Sequence, residues 1–478
     1  MKRIVLLTYE FTYSPFSGNG ILARSLVKSF LGLGCTVTVW CCRPSRDDNK
    51  TNSENNDNHL AVPEISQDSS ERLELLSNVV SRDAWRRVDD QSCWRDFTID
   101  NLLLQDVSDQ NFRRLQAAIT NSNVVCVIDW SGAVAYRSVL DYQQKKLSHS
   151  HIADADIRSK FHLYLNFRVF SFGVDDPKRC AWFNAMEYRA MENASVVVSL
   201  SSQDSQQLSA LLQEYSEKGT MQQKPRIPIK IVLPPLRQDM EKLSKSINAS
   251  EDFLSYLPDA IRCRIESIGN KGGTAVPNHL LSKRPIITCV ARQSPEKCIQ
   301  RFVTFIEMAA DVLQELNLMV VLAGAASDID YARKARERLL GAVPSAIVID
   351  RFLSSHELGA VFAHTLLNFH PSSYDAYGMT IVEAAAFGAP TAVAGPSVGA
   401  FRLLGEDGCL RVAMDDKDEN IFSNSSLATI VSFLRECQNN ETSWESLSSL
   451  GREKALGWDE KSYGERISQI IDNLKDTQ

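Results

Sequence analysis

Residues Ile286 to Gly324 read IITCVARQSPEKCIQRFVTFIEMAADVLQELNLMVVLAG, and this stretch decides the fold. A short apolar run begins at Ile286, and a polar loop containing Pro295 ends it. Phe302 to Leu316 then repeats apolar residues at helical spacing, and a second apolar run begins near Leu318. Strand, loop, helix and strand in that order form a βαβ unit, whose crossover makes its two strands parallel. The pattern continues outward. Further strand-like runs begin near Ala346, Leu366, Pro390 and Cys409, separated by helix-like patterns over Ile329 to Leu340, His356 to Thr365 and Met379 to Phe387. Strict alternation predicts a doubly wound α/β sheet, and such sheets bind ligands beyond the carboxyl ends of their strands.

The N-terminal half opens the same way. Arg3 to Thr8 reads as a buried strand, Ser17-Gly18-Asn19-Gly20 as a glycine loop, and Leu22, Leu26 and Phe30 as the stripe of a helix; Thr36 to Trp40 is the next strand. From 46 to 70 the chain turns to Asp, Asn, Ser and Lys, the composition of a surface insertion. Helices rich in Trp and Leu are expected next, then a strand over Val124 to Ile128. Further strands are expected near His162 to Asn166, Ser195 to Leu200 and Ile229 to Leu233, the last stopped by Pro234-Pro235. Met240 to Lys283, with the glycine-rich run from Gly269 to Gly273, reads as the connection between two domains. The expected division is therefore 1–284, 285–457 and a final segment 458–478.

Composition narrows the classes. The chain has 478 residues, 44% hydrophobic and 23% charged, which excludes collagen-like, coiled-coil and wholly disordered proteins. Lys plus Arg is 52 against 59 Asp plus Glu, a net charge of −7 that repels polyphosphate backbones. Nucleic acid is not an expected partner, and any anion site must be a local cluster of cations. The apolar run in MKRIVLLTYEF is shorter than a signal-peptide core, and no stretch reaches the length of a transmembrane helix. The 11 cysteines form no CxxC pair and many fall in apolar runs, which predicts reduced thiols, no disulfide framework, no zinc site and a cytoplasmic location. Basic pairs such as Arg113-Arg114 and Lys145-Lys146 read as exposed helix faces, with peripheral membrane contact as the alternative.

Strand ends hold the candidate chemistry. After the run at Ile286 come Arg292 and Lys297, two cations either side of a proline turn, able to clamp a small anion. The next strand ends at Gly324, where a ligand can approach the backbone, and the third at Phe352, which offers a flat ring. After the fourth, a helix beginning near Gly378 would aim the amides of Gly378, Met379 and Thr380 at an anion. Asp375 precedes that helix and Glu383 lies inside it, among residues that read as buried; two acceptor-only carboxylates beside an anion site suit the hydroxyls of a sugar nucleotide. No Ser/His/Asp or Cys/His nucleophile set and no metal-ligand cluster stands out.

These residues resemble family 4 retaining glycosyltransferases, the group of sucrose synthases, mannosyltransferases and inositol-phosphate glycosyltransferases. Val290 to Lys297 is similar to their "GR-x-SPEKG" stretch, and Pro371 to Glu383 with Gly388-Ala389-Pro390 is similar to "PS-x-x-EGFG-x-x-x-x-EAMA-x-G-x-P". Ser17 to Gly20 sits where that family has its N-terminal glycine loop, and Glu187 to Leu208 is similar to the stretch that closes its first domain. The resemblance implies a GT-B fold, two Rossmann-like domains facing across a cleft, with the final helix, Trp458 to Leu474, returning to the first. It implies a hexose moved from a UDP- or GDP-type sugar to a carbohydrate, polyol or other hydroxyl acceptor, with retention and with neither metal nor cofactor. Arg292, Lys297 and Asp375 would be catalytic. Glu383, Gly378, Met379, Thr380, Gly324, Phe352, Ser17, Gly18 and Asn19 would bind the donor, and Asp129, Trp130 and Asn166 would lie on the acceptor side. Asp375 is one methylene shorter than the family's Glu, Ser17 replaces a glycine, and a first-domain histidine has no match. The competing readings are a catalytically degenerate sugar-nucleotide-binding scaffold and a GT-B sugar-nucleotide epimerase.

Overall fold

The structure is a computed structural model. It describes residues 2–8, 11, 18–41, 72–76, 109–130, 132–133, 136, 140, 160–169, 171, 176–217, 227–246, 251–269, 279–414, 418, 421–440 and 442–475. The insertion expected at 46–70, the Trp- and Leu-rich stretch at 77–108 and Ser17 lie outside the described residues.

The chain forms two compact units, one of Met1–Pro235 with Glu460–Gln478 and one of Leu236–Asp459. In the first, seven strands make one parallel sheet: β1 (Arg3–Thr8), β2 (Thr36–Cys41), β3 (Leu73–Leu76), β4 (Val124–Ile128), β5 (Phe161–Leu165), β6 (Val196–Ser199) and β7 (Ile229–Ile231), in the order β3-β2-β1-β4-β5-β6-β7. In the second, β8 (Ile286–Val290), β9 (Met319–Ala323), β10 (Ile347–Ile349), β11 (Thr365–Phe369), β12 (Thr391–Val393) and β13 (Leu410–Arg411) pair in the order β10-β9-β8-β11-β12-β13, again all parallel. Both are doubly wound sheets. Parallel sheets covered on both faces need strands that are largely apolar, and every residue of β4, β5, β9 and β11 is buried. In the second unit Phe302, Phe305, Ile306 and Leu313 of the helix Ile299–Glu315 pack on Ile287, Cys289, Val320 and Phe369 of the sheet. Phe305 stacks on Phe369 with ring centroids 5.1 Å apart.

The units divide at Pro235/Leu236, well before the expected boundary at 284/285. The segment read as a connection and the residues just before it belong to the second unit for a physical reason. Leu280 enters that unit's core, the backbone N–H of Leu236 donates to Trp458 O at 3.0 Å, and Asp239 accepts from Ser355 Oγ at 2.6 Å. At the other end, the helix Glu460–Lys475 lies on the helix Gly18–Gly32 of the first unit. Ser25 Oγ donates to Glu460 Oε1 at 2.8 Å, and Gly464 sits against Ser29, where a Cβ would come within 2.6 Å. Between the expected insertion and β4, Leu73–Leu76 adds an edge strand to β2 and Asp109–Asn121 forms a helix. Helices Gly399–Leu404, Asn424–Asn439 and Thr442–Leu456 complete the second unit. No described helix is long and apolar enough to cross a membrane. Cys35, Cys126, Cys289 and Cys409 are buried and unpaired.

Candidate functional site

In the second sheet β8 lies beside β11, and the chain leaves them in opposite directions, through β9 and β10 on one side and β12 and β13 on the other. That reversal opens a crevice beyond the carboxyl ends of β8 and β11, the usual ligand position in such sheets. The loops after these two strands carry the expected cations and carboxylates.

The loop after β8 is held against the end of β9. The N–H groups of Ala291 and Gln293 donate to Ala323 O and Ala325 O, each at 3.0 Å, and Gln293 Nε2 donates to Gly324 O at 2.6 Å. Gly324 has φ +145°, and a Cβ there would lie 1.9 Å from Ala291 O, so only glycine lets the two loops meet. A single turn over Pro295–Lys297 follows, and Cys298 reverses it with φ 51°, a left-handed conformation at the position where the family stretch ends in glycine. The helix Ile299–Glu315 begins there. Its Arg301 is fully buried and donates to Pro371 O, tying the loop after β8 to the loop after β11.

The loop after β11 runs from His370 to Gly378. Lys297 Nζ donates to Asp375 Oδ2 at 2.6 Å, His370 Nε2 lies 3.4 Å from the same oxygen, and the Tyr377 N–H donates to Oδ1 at 3.3 Å. Burial works against charge on Asp375, but Lys297 and His370 beside it and these hydrogen bonds hold its carboxyl at about 2. Burial pushes His370 down to about 4, so its imidazole is neutral at pH 7. A second layer fixes the loop. Gly399 N–H donates to Asp375 O at 2.9 Å and Ala400 N–H to Tyr377 O at 2.6 Å, and a Cβ on Gly399 would lie 2.1 Å from Ala376 O. Gly378, at φ +83°, then caps the helix Met379–Ala386, whose first amides have no carbonyl of their own turn to bond. The helix places positive potential and open N–H groups beside Lys297's loop.

Glu383 lies within this helix and is buried, as its apolar neighbours imply. Its Oε1 is 2.9 Å from Arg237 Nε. Burial pushes its carboxyl up from the ordinary range; Arg237 opposes the shift and Asp239 adds to it. Arg237 lies just before the segment read as a connection, and sequence reasoning missed it. A buried acid demands a cation, but which one is set by tertiary packing alone. Arg292 pairs with Glu296 at 2.8 Å, both more than a third exposed. Phe352 is 55% exposed beyond β10, with its carbonyl accepting from Arg351 Nη1 at 3.1 Å.

The first unit has its own reversal, between β1 and β4. There Asn19, in the first turn of the helix Gly18–Gly32, donates from Nδ2 to Asp129 Oδ2 at 3.3 Å. Asp129 is buried with φ 63°, and Trp130 packs edge-on to Trp182, ring centroids 5.5 Å apart. The expectation for Asn166 is corrected. It is 0% exposed, and its amide donates to Glu187 Oε2 at 2.9 Å and Arg168 O at 3.1 Å, while Tyr164 O–H donates to the same Glu187 oxygen at 2.7 Å. A strand-end asparagine there serves an interior acid instead of an acceptor. Burial, with Asp129 nearby, pushes Glu187 well above the carboxylate range. Among the described residues no cluster of three or more His, Cys, Asp or Glu side chains is arranged to hold a metal ion.

Residues 275–408 match the family model described as "Glycosyl transferases group 1", a span that contains both loops of the second unit's crevice. No curated protein matches the chain in sequence. Solved structures match over its whole length. A sucrose-phosphate synthase from Thermosynechococcus elongatus superposes with TM-score 0.59 at 15% identity, covering 100% of both chains. An α,α-trehalose-phosphate synthase (UDP-forming) from Burkholderia vietnamiensis gives TM-score 0.62 at 10% identity over 99% of this chain and 97% of that one. Anabaena HepE in complex with UDP and glucose gives 0.58 at 12% identity over 99% and 100%. At these identities the likeness is one of fold, and the fold is GT-B, with two Rossmann-like units.

Proposed function

We propose that this protein is a glycosyltransferase that moves a hexose from a nucleoside diphosphate sugar to a hydroxyl acceptor with retention of anomeric configuration. The observation that supports it best is the juxtaposition of Lys297, the N-terminus of Met379–Ala386 and the buried Glu383 around the β8/β11 crevice. In the proposed reaction the bond from the anomeric carbon to the diphosphate oxygen breaks, and the nucleoside diphosphate leaves with the electron pair. The developing charge meets Lys297, Arg292 and the helix-end amides of Gly378, Met379 and Thr380. The acceptor hydroxyl attacks from the same face and passes its proton to the departing phosphate oxygen. Glu383 accepts from ribose hydroxyls, Gly324 lets the diphosphate near the backbone and Phe352 offers a face to the base. Asp375 keeps Lys297 in place before the donor arrives and lies where the family's Glu meets the sugar. Gly18 and Asn19 are assigned to the donor, and Asp129 and Trp130 to the acceptor side. The buried free thiols suit a reducing cytoplasm.

The test is transfer itself. Purified protein with radiolabelled UDP- and GDP-hexoses and a panel of sugars, polyols and sugar phosphates should release nucleotide only with a productive acceptor, give a product of retained configuration by NMR, and lose both in Arg292→Ala. Nucleotide binding with no transfer to any acceptor would favour the scaffold reading, which the short Asp375, engaged by Lys297 and His370, also suits. Acceptor-independent interconversion of donors would establish an epimerase.

A further inference from the structure

The donor reading assigns a role to Glu383 but leaves open what holds a carboxylate inside an apolar helix. Ile381, Val382, Ala384, Ala385 and Ala386 are all buried around it. A carboxylate so placed needs a fixed counter-charge, or it protonates and turns. Arg237 supplies one. Its Nε is 2.9 Å from Glu383 Oε1 and 3.5 Å from Asp239 Oδ1, and its Nη2 donates to Ser355 Oγ at 3.5 Å. Ser355 Oγ in turn donates to Asp239 Oδ2 at 2.6 Å. Ser355 opens the helix Ser355–Ala363, whose start is locked by the reciprocal hydrogen bonds of Ser354 and Glu357. The guanidinium is therefore clamped between a rigid helix start and the acid, and Glu383 Oε2 has no partner among the described residues.

We infer that Arg237 is a positioning residue of the donor site, fixing the Glu383 carboxylate through Oε1 and leaving Oε2 to the ribose hydroxyls of the nucleotide. It lies outside the span that matches the glycosyltransferase model and in the segment that packs into the second unit, so the donor site draws on residues from both. A lysine could replace the charge but not the fork that reaches Glu383 and Ser355 together. The inference rests on the donor reading.

Titration calorimetry with UDP, GDP and their 2′,3′-dideoxy analogues separates the two. Wild-type protein should bind one of the nucleotides and lose about tenfold in affinity when the hydroxyls are removed, the worth of a hydrogen bond to a charged group. Arg237→Gln should bind the parent nucleotide about tenfold more weakly, keep wild-type affinity for the dideoxy analogue and so lose the discrimination. Arg237→Lys should recover part of it. If Arg237→Gln shows no cooperative melt, the lysine variant decides, because a hydroxyl preference below wild type supports the inference and an unchanged preference overturns it. A purely structural Arg237 would weaken both ligands equally and keep their ratio, which also overturns it. If the wild type binds neither UDP nor GDP, the donor reading falls and takes this inference with it; if it binds and discriminates but Arg237→Gln discriminates equally, only this inference falls.

Discussion

At the sheet reversal of the first unit a neutral amide meets a carboxylate, Asn19 to Asp129; at that of the second an ammonium does, Lys297 to Asp375. The parallel order of the first six strands is shared, and each crevice has a helix start beside it, after β1 in the first unit and after β11 in the second. What differs is charge. The first unit gathers acids, Asp129, Glu187 and Asp204, all buried, with Glu187 driven toward its neutral form. The second pairs each acid with a cation, Asp375 with Lys297 and Glu383 with Arg237. A dianionic diphosphate is drawn to fixed cations and repelled by buried acids, which is why the phosphates are assigned to the second unit. One topology thus offers two crevices of opposite preference.

The comparison can be broken at several places. Lys297→Ala should lower turnover by about 10²–10³-fold, the usual cost of one group that stabilises a developing anion, while Asp129→Asn leaves nucleotide affinity unchanged. Steady-state kinetics and calorimetry on both variants check this, and equal losses in the two would erase the distinction. Next comes packing. Gly324→Ala places a Cβ 1.9 Å from Ala291 O at φ +145°, and Gly132→Ala places one 2.7 Å from Leu7 O in the first unit. Urea titration should show the former costing about 3 kcal/mol or more and the latter less, since strain adds to the clash only at Gly324.

Acid and base should act on the units with opposite sign. The Asp375 carboxyl falls from 3.8 to about 2, so its stabilisation is complete above pH ~4 and is lost as pH falls through about 2. Asp375→Asn should therefore cost the second unit about 2 kcal/mol at pH 7 and little near pH 2. Glu187 is raised instead, so the first unit loses stability as pH climbs past the unfolded carboxylate value of about 4.3 toward the higher native one. Glu187→Gln, which keeps the shape and can still accept from Tyr164 and Asn166, should melt a few degrees above wild type at pH 8. His162 and His370, each held at about 4, weaken both units alike as pH falls from about 6.5 and so cancel from the comparison. The smallest effect concerns Cys298: Cys298→Gly relieves a left-handed side chain and should add about 1 kcal/mol, or about 2–4 °C in melting temperature.

How much of this the sequence discloses follows from range. β4 is legible to the residue because a strand buried on both faces is apolar along its whole length, and β1 because Ile4–Leu7 forms such a run between Arg3 and Thr8. Leu73–Leu76 is not, because Glu74 interrupts an edge strand whose neighbours in sequence are polar. The burial of Glu383 could be read from its alanines, but its partner Arg237 lies far away in sequence and is held there with Ser355. Asn166 misleads because strand ends line crevices in general, and only packing shows that Glu187 claims its amide. The domain boundary misleads likewise, since a glycine-rich run looks like a hinge whether or not the helices before it are docked.

The central claim is that the β8/β11 crevice, and not the β1/β4 crevice, receives the nucleoside diphosphate. A co-crystal structure with UDP, and separately with GDP, tests it directly. The account predicts diphosphate oxygens within hydrogen-bond distance of Lys297 Nζ and the first amides of Met379–Ala386, with the ribose on Glu383 Oε2. Nucleotide seated instead beside Asp129 and Trp130, with Lys297 and the helix-end amides unengaged, would contradict it.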